Sequence, residues 1–303
     1  MNAEVAAAPP PVGVPTHATQ RWRDEVGAGR AVLRAAFQAR ADTPRLLREH
    51  TRLVDRAVAG IWCDLGAPAE IALVAVGGYG RGQLFPHSDV DVLILLPGAL
   101  DAAGTAFVER LVGALWDAGL EAGHSVRTIG QCADEMAADV TIKTSLLEHR
   151  FVAGSRRLHR AFGLSIAAAM DVPSFYEGKM LEQQQRHLKY HDTAYNLEPN
   201  VKESPGGLRD LQTVLWIARA AGLGRRWRDL AQAGLITMQE ARTVSRQERL
   251  LGALRVRLHY LANRREDRLV FDLQNALAHE LGLADTPAKR ASEQLMQRYY
   301  RAA

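Results

Sequence analysis

A chain of 303 residues with 47% hydrophobic and 24% charged residues has enough apolar material for one large or two smaller hydrophobic cores, which excludes a disordered or low-complexity protein. The formal net charge of +4 is compatible with an acidic or polyphosphate partner but does not identify nucleic acid, and no nucleic-acid partner is expected. Two cysteines, Cys63 and Cys132, cannot supply a disulfide framework or a metal site by themselves, which points to reduced thiols and a cytoplasmic compartment.

The first 19 residues, rich in Ala and Pro, have neither a basic start nor a sustained apolar core. They read as a disordered leader and not as a secretory signal. No apolar run approaches the roughly 18 to 20 residues that cross a bilayer, so no membrane association is expected. Residues 20–65 place apolar side chains at helical spacing in "AVLRAAF" and "RLVDRAVAGIW" and stop at "GAP", a helical lead-in. "IALVAV" and "VDVLILL" are short, aliphatic and bounded by turn residues, as buried strands are. "AGTAFVERLVGALWDAGL" then has helical periodicity, and "HSVRTI" follows as a third strand. After about residue 131 strand signals largely vanish and helical patterns continue to the end. The expected class is therefore α+β: a small mixed-sheet domain over 20–150 with its helical lead-in, followed by an all-helical domain over 151–303. "NLEPNVKESPGGLRD" breaks the helical part, because Pro199, Pro205, Gly206 and Gly207 forbid a continuous helix.

The stretch between the first two strands carries the chemistry. "GGYGRG" places four glycines within six residues, and "HSDVD" follows directly before the second strand. On a strand, residues two apart face one side roughly 6.5 to 7 Å from each other, so Asp89 and Asp91 present two carboxylates together while Val90 and Val92 face the core. A pair of hard oxygen donors completed by substrate phosphates suits Mg²⁺ or Mn²⁺. Gly77 and Gly78, without Cβ atoms, let the chain turn sharply and bring N–H groups against an anion. A helix beginning within Tyr79 to Leu84 would aim its N-terminus the same way. Arg81 is a candidate phosphate partner, and Ser88 either binds phosphate or caps the turn. The spacing fits neither a Walker loop nor the Rossmann glycine fingerprint. A purely structural glycine turn before a surface Asp pair stands as the alternative.

"GGYGRGQLFPHSDVDVLIL" resembles the nucleotidyltransferase signature of the DNA polymerase β superfamily. With "GHSVRTI", "KTSLLEHRFVAG", "QRHLKYHDTAYNLEPNVKESPGGLRDLQTVLWIAR" and "NRREDRLVFDLQ", it looks in detail like the bifunctional PII uridylyltransferase/uridylyl-removing enzymes of bacterial nitrogen regulation, over roughly residues 20–303. The resemblance implies transfer of UMP from UTP to a tyrosine of the PII signal protein with release of pyrophosphate, Gly77 and Gly78 holding the triphosphate and Asp89 and Asp91 carrying Mg²⁺. The superfamily usually draws a third carboxylate from a following strand, yet "HSVRTI" contains no acid; Asp139 and Glu148 are the nearby substitutes, although each reads first as a helix surface residue. The family continues into an HD hydrolase domain and two ACT domains. This sequence stops before them, so the expectation is a transferase without UMP removal or glutamine response. A different superfamily nucleotidyltransferase, acting on RNA ends or adenylylating an enzyme, and a non-catalytic module binding PII or nucleotide are the competing readings.

Other groups have plainer readings beside functional ones. His187 and His191 lie one helical turn apart, and His191–Asp192 spells the HD dipeptide; packing or hydrogen bonding is set against metal binding. In "ESPGGLRD", Gly206 and Gly207 with Lys202 and Arg209 either face phosphate or form a helix-starting turn. "GRRWRD" and "NRREDR" interleave acids with arginines, as solvated helical faces with local salt bridges do. Trp216, at helical spacing with Leu211 and Leu215, is expected in the core.

Overall fold

Five apolar positions of one helix, Val54, Ala57, Val58, Ile61 and Trp62, recur at i, i+3, i+4, i+7 and i+8, and all five are buried. That spacing places them in one stripe, which can only be covered by another layer. They belong to α2 (Thr43–Asp64), which follows α1 (His17–Ala39). The computed structural model describes residues 17–190, 193 and 195–303. Residues 1–16 of the expected leader lie outside that range, whereas the leader's last three residues already belong to α1.

The layer that α2 covers is a four-stranded mixed sheet in the order β3-β2-β1-β4, made of β1 (Ala72–Ala75), β2 (Val90–Leu96), β3 (Ala122–Thr128) and β4 (Arg150–Gly154). β1 pairs antiparallel with β2 and with β4, while β2 and β3 run parallel. Parallel pairing needs a crossover, and α4 (Ala102–Asp117) supplies it. Asp101 caps α4 by accepting from the Gly104 N–H at 2.7 Å. One face of the sheet contributes Leu73, Ala75, Val90, Val92, Ile94 and Leu96 to a core with α2 and with Phe107, Leu111 and Leu115 of α4. Trp62 and Phe107 meet there edge to face, with ring centroids 5.4 Å apart. The alternate residues Leu93 and Leu95 are also buried. On their side α7 (Arg156–Ala168) packs against β1, β2 and β4. Burial on both faces explains why β2 reads as an almost unbroken aliphatic run.

β4 is the strand that the sequence pattern does not announce. "RFVAG" is a five-residue edge, half-buried up to exposed Gly154, with no sustained alternation, and only pairing with β1 makes it a strand. Arg150 at its start donates to both oxygens of Asp55 on α2, at 2.9 and 3.0 Å, and to the backbone oxygen of Tyr79 at 3.2 Å.

Two compact units make up the chain. The first takes in the described residues up to Arg40, then Arg45–Leu84 and Ser88–Ala169, and so extends through β4 and α7. The second comprises Ala41–Pro44, Phe85–His87 and Met170–Ala303. Its main part contains α8 (Val172–Lys189), α9 (Leu208–Ala220), α10 (Trp227–Gln232), α11 (Met238–Ala262), α12 (Phe271–Glu280) and α13 (Ala291–Tyr300), with no named strand among its described residues. Among the described residues, no helix is long and apolar enough to cross a membrane.

Candidate active site

Asp91 is the second residue of β2 and is half-buried, with its backbone oxygen accepting from the Val76 N–H of the neighbouring chain segment at 3.1 Å. Across the parallel pair it stands in register with Gly123 of β3. A Cβ at position 123 would lie 2.6 Å from Asp91 Oδ1, closer than side-chain carbons approach other atoms. On the other side, a Cβ at Gly77 would lie 3.3 Å from Asp91 Oδ2 and 3.6 Å from Ser145 Oγ. The carboxylate therefore occupies a slot with a glycine on each side. Gly77 also has φ +55°, a left-handed conformation that costs other residues about 1–2 kcal/mol.

Gly77 opens α3 (Gly77–Gly80), a single turn that directly follows Val76. This turn is shorter and earlier than a helix started by Tyr79, which is instead its third residue. The first N–H groups of a helix have no intrahelical acceptor, so those of Gly77 and Gly78 are set at the turn's open end. Asp89 is exposed and immediately precedes β2, and half-buried Ser88 precedes it in turn.

Arg81, a candidate phosphate partner, has its guanidinium Nη1 paired with the Glu148 carboxylate and its Nε bonded to Gln83 Oε1 at 2.9 Å. Glu148, the C-cap of α6 (Val140–Leu147), is buried, so this pair ties the glycine turn to the end of α6. Asp139 is the N-cap of α6 and accepts from Thr141 N at 2.6 Å and Ile142 N at 3.4 Å. Both acids weighed as a third carboxylate thus have structural partners. Among the described residues, no group of three or more His, Cys, Asp or Glu side chains is gathered to hold a metal. The donors that β2 and its approach offer are the carboxylates of Asp89 and Asp91. That set fits a hard divalent cation completed by phosphate oxygens, and the glycine slot leaves room beside Asp91 that Cβ atoms would fill.

Two residues at this site carried no expectation. Gly123 stands at the start of a strand, where an interior glycine signals close approach, and that signal was available. Ser145 borders the slot only because α6 packs against α3, which no local pattern announces.

In the helical unit, His187 Nε2 lies 3.0 Å from both oxygens of Asp210. The same carboxylate accepts from Gln183 and Arg186, each at 2.7 Å, and from the Gly206 N–H at 2.8 Å. Burial alone would raise the Asp210 carboxyl, but these hydrogen bonds hold it below the usual range. His191 and Asp192 lie outside the described residues. Gly207 is the N-cap of α9, and its N–H donates to Ser204 O at 2.8 Å, so the glycine pair forms a helix-starting turn. Lys202 and Arg209 both pair with Glu203. The "NRREDR" segment is more than a solvated lattice: Arg264 pairs with Glu266 at the surface, but Asp267 pairs with buried Arg255. Trp216 is buried as expected, yet it stacks with Lys179 and Arg209, while Leu211 and Leu215 pack against the cluster of Ala218, Trp227, Leu230 and Ala241.

A mixed sheet with a glycine turn after its first strand and an Asp-x-Asp at the head of the next defines a nucleotidyltransferase-type domain, and the family model described as "Nucleotidyltransferase domain" matches residues 56–148. A second model, "GlnD PII-uridylyltransferase", matches residues 174–303. Three proteins named bifunctional uridylyltransferase/uridylyl-removing enzyme are similar along nearly the whole chain. Those of Chromobacterium violaceum and Cupriavidus metallidurans are 54% and 55% identical over 94% of this chain, and that of Burkholderia thailandensis is 53% identical over 100%. The chain is thus similar to PII-uridylyltransferases over nearly its whole length. It spans about a third of the length of these relatives, 33% of the first two and 34% of the third.

Proposed function

We propose that this chain transfers UMP from UTP to a tyrosine hydroxyl of a PII signal protein, releasing pyrophosphate, with Mg²⁺ or Mn²⁺ held by Asp89 and Asp91. The observation that carries the reading is the Asp91 carboxylate set between Gly77 and Gly123 at the head of β2. The relatives' printed name supports uridylyl transfer as the reaction.

In this reading the N–H groups of Gly77 and Gly78 bind the triphosphate, and Ser88 lies one residue before Asp89 to meet the same phosphates. Arg81, neutralised by Glu148, fixes the turn more than it binds phosphate. The tyrosine hydroxyl gives up its proton to solvent as its oxygen forms a bond to the α-phosphorus, the bond from that phosphorus to the α–β bridging oxygen breaks in line, and pyrophosphate leaves. A divalent cation at the two aspartates supplies charge neutralisation of the triphosphate. Asp91 is held by its strand and Asp89 by the strand's approach, so both carboxylates need little reorganisation at the moment of reaction.

The cytoplasm is the compartment that fits. Both cysteines are free thiols, and burial pushes that of Cys132 up to about 11.

The test is incubation of the chain with purified PII and each of the four labelled nucleoside triphosphates in Mn²⁺. Label transferred to PII from UTP, and lost when the acceptor tyrosine is replaced by Phe, supports the reading. Transfer to RNA alone, or from ATP as readily as from UTP, overturns it.

A further inference from the structure

Two buried side chains of the helical unit, joined by a half-buried carboxylate, meet a tripeptide that leads into the aspartates. Arg255 and His259 stand one helical turn apart on α11, with exposures of 6% and 0%. Asp267 accepts from Arg255 Nε at 2.6 Å and from His259 Nε2 at 3.2 Å. Burial would raise the Asp267 carboxyl, but the hydrogen bond from His259 and the charge of Arg255 hold it well below the usual range. The same Arg255 guanidinium and the other ring nitrogen of His259 meet Phe85–His87, which groups with this unit. The Arg255 guanidinium lies 4.1 Å from the Phe85 ring centroid, and His259 Nδ1 bonds to the Pro86 backbone oxygen. Both nitrogens of the His259 ring thus face oxygen acceptors, which fixes the ring's orientation.

The next residue, His87, has φ +57°, one of two non-glycine residues with positive φ among those described. Such a conformation persists only where the surroundings hold it. It redirects the chain immediately before Ser88 and Asp89, and Asp89 has no strand of its own to fix it, since β2 begins at Val90.

We propose that Arg255, His259 and Asp267 form a positioning clamp on Phe85–His87 that holds the left-handed turn at His87 and thereby sets the place of Asp89. The catalytic consequence rests on the reading of Asp89 as a metal-binding carboxylate; the effect on the backbone does not. The three are positioning residues, since Arg255 and His259 act through the tripeptide and Asp267 through those two. Outer-shell partners of this kind change metal affinity or activity by about 10- to 100-fold when removed.

The experiment compares His259→Ala, His259→Asn and Leu277→Ala in the full chain. Leu277 is buried on α12, so its truncation destabilises the same helical unit, and it belongs to neither the clamp nor the tripeptide. Two readouts are taken below the melting transition of every variant: hydrogen exchange of the peptide spanning residues 84–92, and the rate and Mn²⁺ requirement of UMP transfer. The expected result for His259→Ala is faster exchange confined to that peptide, a kcat lowered about 10- to 100-fold and a raised half-saturating Mn²⁺. His259→Asn, whose amide N–H reaches the position of Nδ1, restores part of both. Leu277→Ala lowers the melting temperature and leaves kcat and the peptide's exchange near wild type. Unchanged exchange of 84–92 in His259→Ala, or the same change in Leu277→Ala, overturns the clamp. If the wild-type chain transfers no UMP, the functional reading fails, and the exchange comparison still decides the clamp.

Discussion

Asp91 and Gly123 are register partners across β2 and β3, and the space that a side chain at 123 would take is occupied by the Asp91 carboxylate, 2.6 Å from where the Cβ would stand. One methyl group at position 123 therefore moves or rotates the carboxylate. Gly123→Ala is expected to lower kcat by about 100-fold, the cost of a displacement near 1 Å in a reacting group, with the far-ultraviolet circular dichroism of the wild type. Transfer kinetics at saturating UTP check it.

Asp89→Asn and Asp91→Asn each remove one negative charge and one hard donor from the pair. Turnover should fall by about 100-fold or more with the fold intact, because neither carboxylate belongs to the core. Near-wild-type transfer by either folded variant excludes the metal-binding assignment.

Arg81 and Glu148 form an ion pair whose side chains are 20% and 5% exposed. Replacing Arg81 with Met leaves the Glu148 carboxylate buried without that guanidinium, and breaking such a pair costs about 3–5 kcal/mol. Arg81→Met combined with Glu148→Leu should recover much of that loss. Urea denaturation of the two single variants and the double variant measures the coupling.

Asp210 has a carboxyl lowered from its ordinary 3.8, so the folded state binds its proton less readily than the unfolded chain does. The stability contributed by this group is therefore fully present above about pH 4 and is lost as pH falls through and below that value. Asp210→Asn should be less stable than wild type at pH 7 but show a shallower decline between about pH 5 and pH 2. Chemical denaturation across that range gives the slopes.

Cys63 is exposed and Cys132 is buried with its thiol pushed up to about 11. A thiol reagent at pH 8 should modify one cysteine quickly in the native chain and the second only in denaturant. Peptide mapping should place the fast label on Cys63.

Much of the first unit was legible because its signals are local. The aliphatic run "VDVLILL" coincides with β2, the glycine-flanked periodic stretch with α4, and "GAP" with the end of α2. The Asp-x-Asp and the paired glycines could be picked out because strand alternation and the absence of Cβ atoms are properties of neighbouring residues. The helical character of the later chain and its break near Pro199–Gly207 follow from the same kind of information.

What tertiary structure alone decided are relationships between residues far apart along the chain. β4 becomes a strand only by hydrogen bonding to β1, and a five-residue edge strand without a fully buried position has no periodicity of its own. Arg81 was a phosphate candidate on its charge, and only the packing of α3 against α6 brought Glu148 to it. Gly123 acquired its role from the parallel register with Asp91, and "NRREDR" looked like surface until Asp267 met Arg255 and His259 inside the helical unit. Composition and periodicity report how each residue relates to its neighbours in sequence; ion pairs, strand order and close backbone approach depend on which distant segments share a core, a choice made by burial of the whole apolar surface at once.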